Sequence, residues 1–301
     1  MEIQIEPLQE QINTWIDKHV PEKDLYFLTE EDFYSLKNDV KGALVIPRKA
    51  FFGDSPYNGI QWVNSYMYWT ISKDAQYVLV AQPDWIENLT LVKKETLLRS
   101  QHQIGRGLLF PIPYFSETDA LNNEYIFKEG DLDGLMIRRD MWMKLPYSYK
   151  EEAIRAYAQE YDDWTAIKIP ENLPVHLKKY ANTFSTEPGA NCLAAVLYAI
   201  SANPVEDEWM IHEWIHEETF SVGLKNEGYI QTAQEFAKGD VVAWVNEQEI
   251  IQHAAYCIGW NLFFNKNGQT FFNPWKIVRW DELSNEWERY TACVYRKSGS
   301  K

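Results

Sequence analysis

Two apolar runs near the C-terminus, His253-Ala254-Ala255-Tyr256-Cys257-Ile258-Gly259 and Leu262-Phe263-Phe264-Asn265, are separated only by Trp260-Asn261. A two-residue connection can join strands only as an antiparallel hairpin, because parallel neighbours need a long crossover. Val241 to Val245, rich in β-formers and opened by the turn pair Gly239-Asp240, supplies a third strand. Two helical segments come first, one opening near Cys192 and one across Glu206 to Lys225. Helices followed by an antiparallel sheet specify an α+β domain rather than alternating βαβ units.

The first half has a different texture. Leu8, Ile12, Trp15 and Ile16 recur at helical spacing and stop before Pro21, which predicts a helix over Pro7 to His19. From Gly42 to Tyr114, short runs such as Ala43 to Ile46, Ile60 to Trp69 and Tyr77 to Val80 alternate with Gly, Pro, Asn and Asp clusters, which reads as sheet-rich. Glu151 to Trp164 then places Ile154, Tyr157, Ala158 and Tyr161 on one helical face. The 301 residues, about twice a domain of roughly 150, divide on this pattern into an N-terminal aromatic-rich α+β domain, 1–145, a connecting helix and linker, 146–172, and a C-terminal domain, 173–301.

The formal charge of −15 repels phosphate backbones, so nucleic acid is not an expected partner. No apolar run approaches the roughly 18 residues that cross a bilayer, and the acidic start Met-Glu-Ile-Gln-Ile-Glu lacks the pattern of a secretory signal. A cytoplasmic protein is expected. Three cysteines without a signal suit free thiols rather than a disulfide framework.

Cys192 follows the turn-formers Glu187 to Asn191 and precedes Leu193-Ala194-Ala195-Val196-Leu197, so it belongs in the first turn of a helix. There the unpaired N–H groups and the helix dipole favour a thiolate, lower the pKa and offer an oxyanion site. A buried, inert cysteine is the alternative. His253 opens an apolar strand after the polar loop Asn246 to Gln252, and the hairpin returns Asn265, twelve residues on, to its level. An Asn carbonyl on one imidazole nitrogen leaves the other for a thiol, which is Cys-His-Asn chemistry.

At these residues the chain resembles the NlpC/P60-like branch of papain-fold cysteine peptidases. Four segments carry the resemblance: Asn191-Cys192-Leu193-Ala194, Phe236-Ala237-Lys238-Gly239-Asp240-Val241-Val242, His253 to Gly259, and Leu262 to Asn265. It spans roughly Leu173 to Arg296 and implies a papain-like fold, with Cys192 as nucleophile, His253 as base and Asn265 as the orienting third residue. Family members read Asp-Cys-Ser at the nucleophile and commonly carry a second histidine in third place. Asn191 cannot supply the acidic charge that cell-wall members use to read a free amine, so the expected substrate is an amide or peptide without assignment to the wall. The expected reaction is hydrolysis through a thioester, without metal or organic cofactor. The same thioester also permits acyl transfer to an amine. Sequence leaves the oligomeric state open.

Other features have rival readings. His212-Glu213-Trp214-Ile215-His216 matches H-E-x-x-H, which on a helix makes a zinc peptidase site, with Glu235 as third ligand; solvated residues on an amphipathic helix explain it equally well. The alternating aromatics of Trp62 to Trp69 read as strand packing, and Arg138-Arg139 as a solvated turn rather than a carboxylate site. Cys257 and Cys293 read as packing residues. A non-catalytic protein-binding module, with Cys192 inert, completes the alternatives.

Overall fold

A computed structural model describes residues 1–129 and 132–299. It is a mixed helix and sheet structure of two compact units, Met1–Gln11 with Ala158–Lys301, and Ile12–Tyr157. In chain order the elements are β1 (Glu2–Gln4), α1 (Gln9–Lys18), β2 (Asp24–Leu28), β3 (Ala43–Pro47), β4 (Tyr77–Ala81) and α2 (Leu91–Ile104). Next come β5 (Leu109–Pro111), β6 (Ile126–Glu129), β7 (Leu132–Met136), α3 (Tyr147–Gln159), β8 (Thr165–Ile167), α4 (Cys192–Ile200) and α5 (Glu217–Asn226). The remainder is β9 (Tyr229–Thr232), β10 (Val241–Val245), β11 (Ile251–Gly259), β12 (Leu262–Lys266), β13 (Trp275–Arg279), α6 (Trp280–Glu286) and β14 (Thr291–Lys297). Short helical turns fill several connections. No helix among the described residues is long and apolar enough to cross a membrane.

The unit Ile12–Tyr157 holds two three-stranded antiparallel sheets, β2-β4-β3 and β5-β7-β6. The outer edge of β2 is satisfied by a side chain: Gln101 of α2 accepts from Phe27 N at 2.7 Å and donates to Phe27 O at 2.8 Å. That pairing covers an edge that would otherwise present open backbone groups. The run Ile60 to Trp69, expected as a strand, instead forms a short helix, Ile60–Ser65, followed by turns. Its alternating aromatics are spent differently, with Tyr66 and Tyr68 packing edge-on against Phe27. Arg138 is buried rather than solvated and bonds Pro83 O, Glu87 and Asp140. Arg139 donates to the carbonyls of Asp17 and Val20.

The division between units differs from the expected one. It falls at Tyr157/Ala158, and Met1–Gln11 belongs with the C-terminal unit because β1 pairs antiparallel with β8, Ile3 opposite Ala166. Such a pairing joins residues more than 160 positions apart and leaves no local trace in composition.

The C-terminal unit is organised on one antiparallel sheet of order β13-β12-β11-β10-β14-β9. Helix α4 is apolar on every side, consistent with its burial, and packs on one face. Ala195, Tyr198 and Ala199 meet Ile258, Phe264 and Ile277, while Leu193 and Val196 share a cluster with Val241, Ala243 and Ala254. The other face carries Val242, Trp244, Ala255, Cys257, Phe263 and Val278, covered by Leu283 of α6 with Trp280 and Trp287. Helix α5 approaches α4 closely at Gly223, where a Cβ would lie 2.7 Å from Leu197 Cδ2.

The hairpin takes the two-residue form: Gly259 pairs with Leu262 across Trp260-Asn261. Both turn residues lie at positive φ, 51° and 57°, as a type I′ turn requires. Asparagine tolerates that region, whereas a bulky side chain such as Trp260 is strained there. Trp260 is 76% exposed, so its ring recovers little by packing. Replacing Trp260-Asn261 by Asn-Gly is expected to stabilise the protein by about 1 kcal/mol. Thermal melts of the double variant check this, and an unchanged or lowered midpoint contradicts the strain.

Candidate active site

Helix α4 starts at Cys192 because Asn191 caps it: Asn191 Oδ1 accepts from Ala194 N at 3.0 Å, and Asn191 Nδ2 donates to Ile215 O at 2.8 Å. Asn191 thus binds the helix start to the segment before α5. The thiol of Cys192 lies against the backbone N–H groups of Ala254, Leu193 and Cys192 itself. Cys192 is half-buried; these donors favour a thiolate, but desolvation outweighs them and pushes the thiol up to about 11. The expected lowering is therefore corrected. A helix terminus contributes about 0.3–1 kcal/mol at an exposed site, too little to offset removal of the thiolate from water.

His253 and Asn265 meet as the hairpin predicts, His253 Nε2 lying 2.7 Å from Asn265 Oδ1. Both are about 1% exposed. The indole of Trp287 stacks on the imidazole, centroids 4.1 Å apart and planes 5° apart, and Trp244 closes another side at 5.5 Å. Burial lowers the imidazole to about 3, with the bond to Asn265 acting in the opposite direction.

A chain of amides assigns the tautomer. Asn267 reaches the Glu286 carboxylate at 2.8 and 2.9 Å, and a carboxylate only accepts, so Asn267 Nδ2 donates there. Asn267 Oδ1 then accepts from Asn265 Nδ2 at 2.7 Å, which leaves Asn265 Oδ1 toward the ring. The proton resides on Nε2. Nδ1 keeps the lone pair and is the basic nitrogen.

The strand alternation decides which expected residues meet. In β11, Ala254 belongs to the cluster that contains Cys192, whereas His253 sits opposite Trp244 and shares the other face with Ala255. The thiol touches the strand at the N–H of Ala254, one residue after His253, but no hydrogen bond among the described residues joins it to the imidazole. Two of the three expected residues are thus bonded, while the third, Cys192 at the start of α4, belongs to the opposite face of the sheet.

No family model, no curated protein and no solved structure matches the chain.

The H-E-x-x-H reading is corrected. The segment expected as one helix from Glu206 to Lys225 is broken: a 3-10 turn, Glu208–His212, ends at the first histidine, and His216 is the N-cap of α5. The two histidines are not one helical turn apart on a common face, and His212 packs against Tyr180 and Trp275. Among the described residues no group of three or more His, Cys, Asp or Glu is placed to hold a metal ion. Cys257 is buried as expected and Cys293 partly buried.

Sequence reasoning missed Lys266. It pairs with Trp275 of the α4-facing cluster and is fully buried, with Nζ donating to Thr270 O at 2.9 Å and Asn273 O at 2.6 Å. Alternation in Leu262-Phe263-Phe264-Asn265-Lys266 puts the lysine on the side of Phe264, and the packing of Phe264 in the α4 cluster makes that the buried side.

Glutamine at 286 can donate as well as accept, which removes the direction of the amide chain. Nitrogen NMR of labelled His253 is expected to report the Nε2–H tautomer in the native protein and a tautomer mixture in Glu286→Gln; an Nδ1–H signal in the native protein would refute the assignment.

Proposed function

We propose that the C-terminal unit is a cysteine hydrolase of papain-like architecture that cleaves an amide or peptide bond through a thioester. Cys192 is the nucleophile, His253 the base through Nδ1, and Asn265 the residue that orients the ring. The observation that most supports this reading is the buried His253–Asn265 hydrogen bond under the Trp287 indole, at the end of the strand whose next N–H touches the Cys192 thiol. A helix packed on an antiparallel sheet with its first residue at that strand end is consistent with the family's arrangement.

Both ionisations are shifted against a preformed ion pair, the thiol upward and the imidazole downward, so the resting site is neutral on both sides. The thiolate then forms as the substrate carbonyl is attacked: the S–H bond breaks, sulfur bonds to carbon, and the proton reaches Nδ1 through intervening solvent, since the thiol and the ring leave opposite faces of the sheet. The N–H groups around Cys192 are disposed for the oxyanion, and the indole face stabilises the imidazolium while it lasts. The imidazolium returns its proton to the leaving amine, and water clears the thioester.

Incubation with a peptide library and mass-spectrometric readout tests this. Cys192→Ala is expected to abolish cleavage, and His253→Ala to slow it by about 10²- to 10⁴-fold. Asn265→Ala is expected to fall between native and His253→Ala. Cleavage retained in Cys192→Ala defeats the nucleophile assignment; products joined to an added amine identify acyl transfer instead. A native protein that cleaves nothing and whose Cys192 resists alkylation is a binding module.

A further inference from the structure

Lys266 is a buried cation without a counter-ion: among the described residues no carboxylate forms an ion pair with it, and its two hydrogen bonds go to carbonyls. Its neighbour in the adjoining strand shows the contrast. Lys276 is also buried and has Asp162 at 2.6 Å. The loop that Lys266 holds, 267–273, bears on the turn that presents Cys192, since Gly189 N donates to Gln269 O at 2.8 Å. Lys266 follows Phe264, the last residue of β12 paired with β11, by two positions and so shares its helix-facing side, and its Nζ bonds Thr270 O, next to the Gln269 carbonyl that Gly189 engages. His253 leaves the strand on the opposite face.

We propose that Lys266 is the positioning cation of Cys192, its buried ammonium stabilising the thiolate, so that protonation of this lysine governs how readily the nucleophile forms. This rests on the reading of Cys192 as nucleophile. The step is one of charge only: the thiol proton goes to the base, Lys266 keeps its own protons, and no electron transfer is involved. Two facts support it. Against burial, Asp162 first and Cys192 after it act to raise the Lys266 pKa, and Lys266 acts, after the backbone donors, to lower that of Cys192. Burial brings Lys266 down to about 7, so its charge changes within the working range of an enzyme, whereas an ordinary lysine at 10.5 would not. The groups around it are Cys192 from α4, Asp162, which Lys276 already neutralises, and the Trp275 ring at 5.7 Å, beside which lie Tyr180 and His212.

The test is the rate of Cys192 alkylation by iodoacetamide from pH 5.5 to 10, read by mass spectrometry in the native protein and Lys266→Met. Below pH 7 the variant is expected to react about tenfold more slowly, the effect of about one pKa unit on a thiol; above pH 9, where the native lysine is neutral, the two rates are expected to converge. Equal rates throughout, or one constant factor at every pH, overturn the proposal, because a merely structural lysine would act without pH dependence. Folding is checked in the same samples. The folded-state pKa lies below the unfolded one, so Lys266 costs stability below about pH 7 and that cost fades as pH rises toward 10.5. Lys266→Met is expected to melt no lower than the native protein at pH 6.

A second measurement needs no variant of Lys266. In the native protein the rate ratio of anionic iodoacetate to neutral iodoacetamide is expected to fall through one titration near pH 7, and to do so equally in His212→Gln. A flat ratio, or loss of the fall in His212→Gln, overturns the proposal. Neither readout requires turnover. If no substrate is cleaved yet both pH signatures appear, the lysine proposal stands and the hydrolase reading falls; the reverse outcome removes the lysine alone.

Discussion

Everything at the candidate site depends on the two-residue alternation of β11 and β12. Side chains one position apart leave opposite faces of the sheet, so His253 and Ala254 part company, as do Asn265 and Lys266. One face receives the imidazole, its asparagine and the indole that covers them. The other receives helix α4, the thiol and the lysine. A slip of one residue in the hairpin would exchange these sets, which is why the Trp260-Asn261 turn, strained as its φ angles are, matters more to the chemistry than its exposed position suggests.

The electrostatics follow from burial. Helix termini and backbone donors act on the Cys192 thiol in the direction of ionisation, yet the cost of placing a charge among apolar side chains is larger, and the same cost lowers His253 to about 3. A thiol and an imidazole displaced in opposite directions share no proton at rest. The amide chain from Glu286 through Asn267 and Asn265 carries polarity to the ring without bringing a charge beside it, holding Nε2–H in place and leaving the lone pair on Nδ1.

Much of this was legible in sequence. The Trp260-Asn261 connection dictated a hairpin, the uninterrupted apolar run after Asn191 dictated a helix, and counting across the turn brought Asn265 within reach of His253, diagonally rather than directly opposite. Three matters were not legible. Which face each strand turns to α4 depends on how the helix docks, and a run such as His253-Ala254-Ala255 is apolar toward both sides. The break in the segment expected from Glu206 to Lys225 is imposed in part by Asn191, whose side chain takes the Ile215 carbonyl out of any helical ladder. The return of Met1–Gln11 to the C-terminal unit is a pairing over more than 160 residues, beyond any local pattern.

The two buried lysines of β12 and β13 separate structural from chemical needs. Lys276, with Asp162 at 2.6 Å, is half of an ion pair, and its pKa is raised because Asp162, with Asp163 and Glu282, together outweigh the burial cost. Removing either member would leave an uncompensated buried charge, the mark of a structural pair. Lys266 has burial without that compensation, and an apolar side chain of the same length would fill the space against Trp275 at lower cost. The charge that acts on it most is Asp162, already paired with Lys276, and on the same face lies a thiol that can itself become negative. A buried charge that destabilises the resting protein is explained by the proposed chemistry more readily than by the fold.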